Sequence, residues 1–165
     1  MPTRRRLLGS LVISVGALAT GCGFALRRSA ALPFETLHVG ASTNSQLAAE
    51  FRRMVQGNAA TVLVTDPAIA AARLEILAET REKEILGYSS TGRPREYQLR
   101  LRARFRITER EGKEIMPPTE LLVRRDITTT DLQLVAKEQE EELLYREMQS
   151  DVVQQMLRRL AALGR

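Results

Sequence analysis

Three groups of residues in this 165-residue chain are of types that can do chemistry: one cysteine, one histidine, and a run of arginines on alternate positions. Cys22 has no second cysteine to pair with inside the chain, which leaves a buried structural thiol, a nucleophile, an intermolecular bridge or a modified residue. His38 sits between Leu37 and Val39 in a stretch with strand character, a setting for a structural residue rather than a base. No nucleophile elbow, H-E-x-x-H pair, Gly-rich phosphate loop or cysteine pair for a metal accompanies it, so no catalytic residue, metal ligand or cofactor is assigned. Arg100, Arg102, Arg104 and Arg106 alternate with apolar residues and therefore project from one face of a strand about 7 Å apart. That spacing suits an array of phosphates or carboxylates. It equally suits ion pairing with Glu75 and Glu79 on a neighbouring strand, and the two uses are compatible. Arg93 and Arg95 lie in the polar stretch YSSTGRPREY just before the ladder. They are either solvated loop charges or the core of a local anion site.

Composition narrows the classes. With 44% hydrophobic residues the chain is long enough for one core and short for two. Three of the net +5 charges fall on Arg4, Arg5 and Arg6, so the basic excess is largely a property of the first residues. Aromatics make up 4% and tryptophan is absent, which leaves few stacking platforms for single-stranded nucleic acid. A nucleic-acid partner is not expected.

The beginning of the chain gives Cys22 a setting. A basic stretch (Met1 to Arg6) is followed by an apolar one (Leu7 to Leu18) and by the small residues Ala19, Thr20 and Gly21, the three-part layout of a cleaved secretory signal. The small residues run directly into Cys22, which resembles the lipobox of bacterial lipoproteins, with Ala19 where those carry leucine and Leu18 one place earlier. The resemblance implies that the thiol receives lipid, each buried methylene adding about 0.8 kcal/mol of membrane affinity. Gly23 differs from the aspartate that resembles an inner-membrane retention signal, favouring delivery to the outer membrane. Thr3 to Leu8 also resembles a twin-arginine signal, and the export route stays open between the two. The expected organisation is a cleaved leader at 1–21, a lipid-anchored tether at 22–34 and a single domain at 35–165.

Elements follow from periodicity. Glu35 to Val39 reads as a short strand; Thr43 and Gln46 form a capping-box pattern before Leu47, Phe51, Met54 and Val55, a helix stopped at Gly57-Asn58. Val62 to Val64 reads as a second short strand closed by Asp66-Pro67. From Arg73 to Thr80, Leu74, Ile76 and Ala78 alternate with Glu75, Leu77 and Glu79, as in a strand with one buried face. Tyr97 to Ile107 is the clearest strand; Glu111-Gly112 supplies a hairpin turn, and another strand lies within 114–127, interrupted near Pro117-Pro118. From about Thr130 to Leu163 the period is helical, with Tyr145, Met148, Val152, Met156, Leu160 and Leu163 in one stripe and a charged first section, Lys137 to Glu142, projecting past the sheet. The order predicts an α+β fold: a mixed, mostly antiparallel sheet of about four strands with two helices packed on one face.

These pieces, in order, resemble the LPS-assembly lipoprotein family (LptE, rare lipoprotein B). The resemblance rests on Gly21-Cys22-Gly23-Phe24-Ala25-Leu26-Arg27, on Gly92 with Glu96-Tyr97-Gln98-Leu99, and on Ala136-Lys137, Glu140-Glu141-Glu142, Glu147-Met148 and Gln155-x-Leu157-x-x-Leu160. It implies a subunit of the outer-membrane lipopolysaccharide translocon, anchored by lipid and facing the periplasm. Such a subunit sits inside a large β-barrel partner (LptD-like), assists its assembly and binds lipopolysaccharide during delivery. By resemblance Lys137 is a lipopolysaccharide contact. The basic position before the loop glycine falls on Ser90 or Thr91 here, and Arg93 and Arg95 stand in for it, with Arg100 the nearest ladder residue. Two other readings remain open at this point: an outer-membrane lipoprotein scaffold that makes no lipopolysaccharide contact, and a small periplasmic enzyme using His38.

Overall fold

The computed structural model describes residues 31–57, 60–128 and 134–164. Five strands and two helices follow in the order β1 (Thr36–Gly40), α1 (Gln46–Gln56), β2 (Val62–Leu63), β3 (Ala72–Tyr88), β4 (Pro94–Glu109), β5 (Glu114–Thr128) and α2 (Leu134–Ala162). The sheet order is β2-β1-β3-β4-β5. β1 runs parallel to β2 and β3, while β3, β4 and β5 form an antiparallel meander. The expected α+β architecture is present, with five strands instead of about four. The short strand expected at Val62 to Val64 is two-residue β2, which joins the sheet through Val62 N–H to Glu35 (2.9 Å) and Val64 N–H to Leu37 (3.1 Å).

Alternation in β4 builds the core. Leu99, Leu101, Ala103, Phe105 and Ile107 are all fully buried and meet Leu37 and Val39 of β1, Leu74 of β3, and Leu121, Val123 and Ile127 of β5 on one side of the sheet. Both helices cover that side. α1 contributes Leu47, Ala48, Phe51 and Val55; α2 contributes Tyr145, Met148, Val152, Val153, Met156 and Leu160. Burying a large apolar side chain contributes roughly 1.5–3 kcal/mol, so this single layer of contacts dominates the stability. Leu163, placed by its spacing in the stripe, is more than a third exposed, because α2 ends at Ala162.

Two local readings are corrected. The N-cap of α1 is Ser45, whose hydroxyl accepts from Ala48 N–H at 3.0 Å, and not Thr43. The same hydroxyl donates to Glu79 at 2.8 Å, which ties the helix start to β3. The second correction is larger. β3 carries a bulge between Ile76 and Ala78, seen as a register shift against Phe105 and Arg104. An extra residue flips the side-chain parity of everything after it. Before the bulge, Ala72 and Leu74 point to the helices; after it, Glu79, Arg81 and Lys83 do, and Ala78 is exposed.

β3 also runs eight residues past Thr80, and α2 therefore does not overshoot the sheet. Its charged first section lies on the far half of β3: Lys83 pairs with Glu141 at 2.5 Å and Arg81 with Glu142 at 3.2 Å. β1 accompanies β3 only as far as Glu75, so beyond that point β3 has β4 on one side alone. The strands are thus longest toward the β3–β4 turn. At the opposite end of the sheet, Gly164 approaches Pro33 so closely that a Cβ there would stand 2.7 Å from the proline's. From Ala72 to Tyr88 the sheet spans roughly 55 Å along β3.

Candidate functional site

The β3–β4 hairpin turn is built by main-chain bonds. Ser89 N–H donates to Arg93 C=O at 2.7 Å and Gly92 N–H to Ser89 C=O at 2.9 Å, with Gly92 at φ +76°, a conformation that favours glycine. The Ser89 hydroxyl accepts from Arg93 N–H at 3.1 Å and lies 2.9 Å from the Thr91 hydroxyl. The turn is short and polar, yet its flanks expose large apolar side chains: Leu86 is 50% and Tyr88 65% exposed.

Three of the four candidate anion-binding residues fall at this end of the sheet. Arg93 closes the turn, Arg95 follows in the first residues of β4 on the helix side of the strand, and Lys137 stands in the first turns of α2, one turn before Glu141. Lys137 is held by Glu140 at 2.7 Å, three residues along the helix. The fourth, Arg100, lies elsewhere: it is five residues further along β4, about 17 Å, and on the opposite face of the sheet. It ion-pairs with Glu84 and donates to the Gln98 side chain at 2.8 Å.

The ladder is mostly neutralised from within. Arg106 binds Glu75 at 2.6 Å, and Arg102 binds Glu120 at 2.7 Å and Glu82 at 3.9 Å. Glu75 is the expected partner; Glu79 is not, because the bulge turns it to the helix side, where Ser45 donates to it. In its place Glu82 and Glu84 supply the acids.

Sequence reasoning missed a cationic pair on the helix side. Arg81 reaches Gln46 (2.7 Å), Gln149 (3.3 Å) and Glu142, and its guanidinium lies 5.0 Å from the centre of the Tyr145 ring. The Lys83 ammonium lies 4.4 Å from the Tyr97 ring centre. The available signal was charge complementarity between Arg81 and Lys83 and the acidic run 140–142. Burial, and next the Glu141 carboxylate, push the Tyr145 phenol above its usual range, with Arg81 pulling the other way.

His38 Nδ1 lies within hydrogen-bonding distance of Val64 C=O, at 3.2 Å. Among the described residues no group of three or more His, Cys, Asp and Glu could hold a metal ion, and every buried side-chain nitrogen or oxygen has a partner. A hollow lined by Arg125, Arg146, Glu147, Ser150 and Asp151 is open and of mixed sign. Cys22 and the tether to residue 30 lie outside the described residues.

Residues 34–160 match the family described as "LptE: Lipopolysaccharide-assembly". The chain belongs to the LptE family. It is 26% identical over 161 residues to the LPS-assembly lipoprotein LptE of Photorhabdus laumondii, a match covering 95% of this chain and 86% of that protein. Among solved structures, it is similar to lipoprotein B of Nitrosomonas europaea at 33% identity and a TM-score of 0.74, covering 86% of this chain and 92% of that one. The rare lipoprotein B of Shewanella oneidensis is 26% identical with a TM-score of 0.67, covering 77% and 94%. A minor lipoprotein from Acinetobacter baumannii, 24% identical with a TM-score of 0.65 and covering 79% and 93%, shares the fold. This LptE-family chain is thus a lipopolysaccharide-assembly lipoprotein. No helix among its described residues is long and apolar enough to cross a membrane.

Proposed function

We propose that this LptE-family chain is held in the outer membrane by lipid on Cys22 after loss of residues 1–21, seats within a large β-barrel partner, and contacts lipopolysaccharide through Arg93, Arg95 and Lys137. The observation that carries the reading is that basic residues from two elements, the β3–β4 hairpin and the start of α2, gather at the end of the sheet opposite the one where residues 31–33 begin. A substrate approaching that end competes neither with the helices for the core face nor with the anchor. Phosphate groups suit guanidinium forks, which bind them bidentately. Arg100 is left out of the site, since Glu84 and Gln98 already engage it.

A titration of lipopolysaccharide against the folded parent and the triple variant Arg93→Glu/Arg95→Glu/Lys137→Glu tests the reading. Charge-assisted bonds contribute about 1.5–3 kcal/mol each, so a loss of roughly 10- to 150-fold per residue is expected. Equal affinities would remove the site and favour the scaffold reading. Intact mass of membrane-extracted protein tests the anchor; a chain starting anywhere but residue 22, or an unmodified thiol, overturns it. Co-purification of a large β-barrel with the tagged full chain tests the partner.

A further inference from the structure

Lys137 and Lys83 stand on different elements, the start of α2 and the far half of β3, yet both turn to adjacent acids on the helix. Glu140 holds Lys137 at 2.7 Å, and Glu141 holds Lys83 at 2.5 Å. Glu141 is also one helical turn from Lys137, on the same face of α2, so the two ammonium groups border a single pair of carboxylates. Among the described residues neither lysine has another ion-pair partner; Lys83 otherwise meets the Tyr97 ring. Arg81 differs, since Gln46, Gln149 and Tyr145 hold it besides Glu142.

We infer that Lys83 belongs with Lys137 in the anion site, and that Glu140 and Glu141 occupy that site as internal counter-ions until the phosphates of a ligand displace them. The pairs are placed to exchange partners. All four side chains are partly exposed, Lys83 at 40%, and exposed pairs contribute little and are screened by salt. A phosphate monoester carries about −1.5 to −2 charges at neutral pH against one for a carboxylate, so it outcompetes the acids for the lysines. The fold lets the acids go: from Lys137 to Leu144 no side chain is buried, and the buried stripe of α2 runs from Tyr145 to Leu160. The first turns can therefore loosen while the rest of the helix stays docked. The inference rests on the proposed lipopolysaccharide contact at Lys137; it adds a residue to that site and names what fills it when no ligand is bound.

Titrations of lipopolysaccharide against the full chain test it. Glu140→Gln/Glu141→Gln should bind about tenfold more tightly than the parent, about threefold for each pair that no longer has to break. Dephosphorylated lipopolysaccharide should show no such gain, and an equal gain there overturns the inference. Lys83→Gln separates displacement from a general field of the acids. Its cost should be about threefold in the parent, where the pair with Glu141 is given up on binding, and about tenfold in the double-Gln background, where there is none to give up. Equal costs in the two backgrounds, or no cost in either, overturn it. Amide exchange supplies a second sign: saturating lipopolysaccharide should speed exchange at 138–143 in the parent, against the protection that simple binding brings, and slower or unchanged exchange there overturns displacement. If Arg93→Glu/Arg95→Glu/Lys137→Glu binds as tightly as the parent, the proposed site falls and this inference with it. If that variant loses affinity while Glu140→Gln/Glu141→Gln gains none, this inference alone falls.

Discussion

The hydroxyl of Tyr145, in the middle of α2, donates to the main-chain carbonyl of Glu82 at 2.8 Å. That bond joins the long helix to the part of β3 that lacks a neighbour on one side, where a strand's main-chain groups need other partners. Arg81 adds a cation over the same ring.

Tyr145→Phe keeps the ring and removes the bond. The expected cost is about 1 kcal/mol, a fall of roughly 2–5 °C in thermal midpoint by circular dichroism. The pH dependence has a definite sign. Because folding raises the phenol's pKa, the folded state favours the protonated form. Stability is therefore full below the unfolded value of about 10 and is lost as pH rises through the folded value. The difference in stability between parent and variant should narrow above pH 10; a gap that widens there would contradict the assignment.

Ser45→Ala removes both the cap on Ala48 N–H and the bond to Glu79. Urea unfolding should show a loss of about 1–2 kcal/mol. Ser45→Asp retains the cap but sets a carboxylate beside Glu79, and its stability should recover when salt is raised.

Arg81→Met should cost more than its exposed ion pair alone. The pair with Glu142 contributes under about 1 kcal/mol, as such partly exposed pairs do. The bonds to Gln46 and Gln149 and the contact with Tyr145 vanish with it. Amide exchange in the first turns of α2 should accelerate in the variant while the β4 core stays protected.

Phe105→Ala opens a cavity at the centre of the sheet, where the ring is fully buried. A loss of about 3–5 kcal/mol is expected in denaturant titration. A change under about 1 kcal/mol would mean that the ring is not packed as described.

Much of this architecture is written in the sequence as period. The β4 alternation and the α2 stripe each hold over many residues, and both elements lie where that pattern puts them. The bulge at Leu77 left no such mark. Residues 79 to 84 read Glu-Thr-Arg-Glu-Lys-Glu, polar on both parities, so nothing in the pattern says which set turns inward. The cap of α1 was ambiguous for a similar reason, since Ser42, Thr43, Asn44 and Ser45 all suit an N-cap. At the candidate site, the loop charges were visible, but which cations face which side depends on strand register. Arg81 and Lys83 became partners of Glu142 and Glu141 through contacts about sixty residues apart in sequence.

The bulge in β3 has a bearing on how such a chain can change over generations. Surface loops absorb the gain or loss of a residue with little effect. The bulge does the same within a strand: deleting Leu77, its extra residue, leaves Ile76 opposite Phe105 and Ala78 opposite Arg104, so Glu79, Arg81 and Lys83 still face the helices and Thr80, Glu82 and Glu84 the open side. The partners of Glu141, Glu142 and Ser45 are kept together, as are those of Arg100 and Arg102. A frame-preserving loss of the codon for Leu77 is absorbed where it falls, so the bulge gives this long strand one position that can shorten without repacking either face.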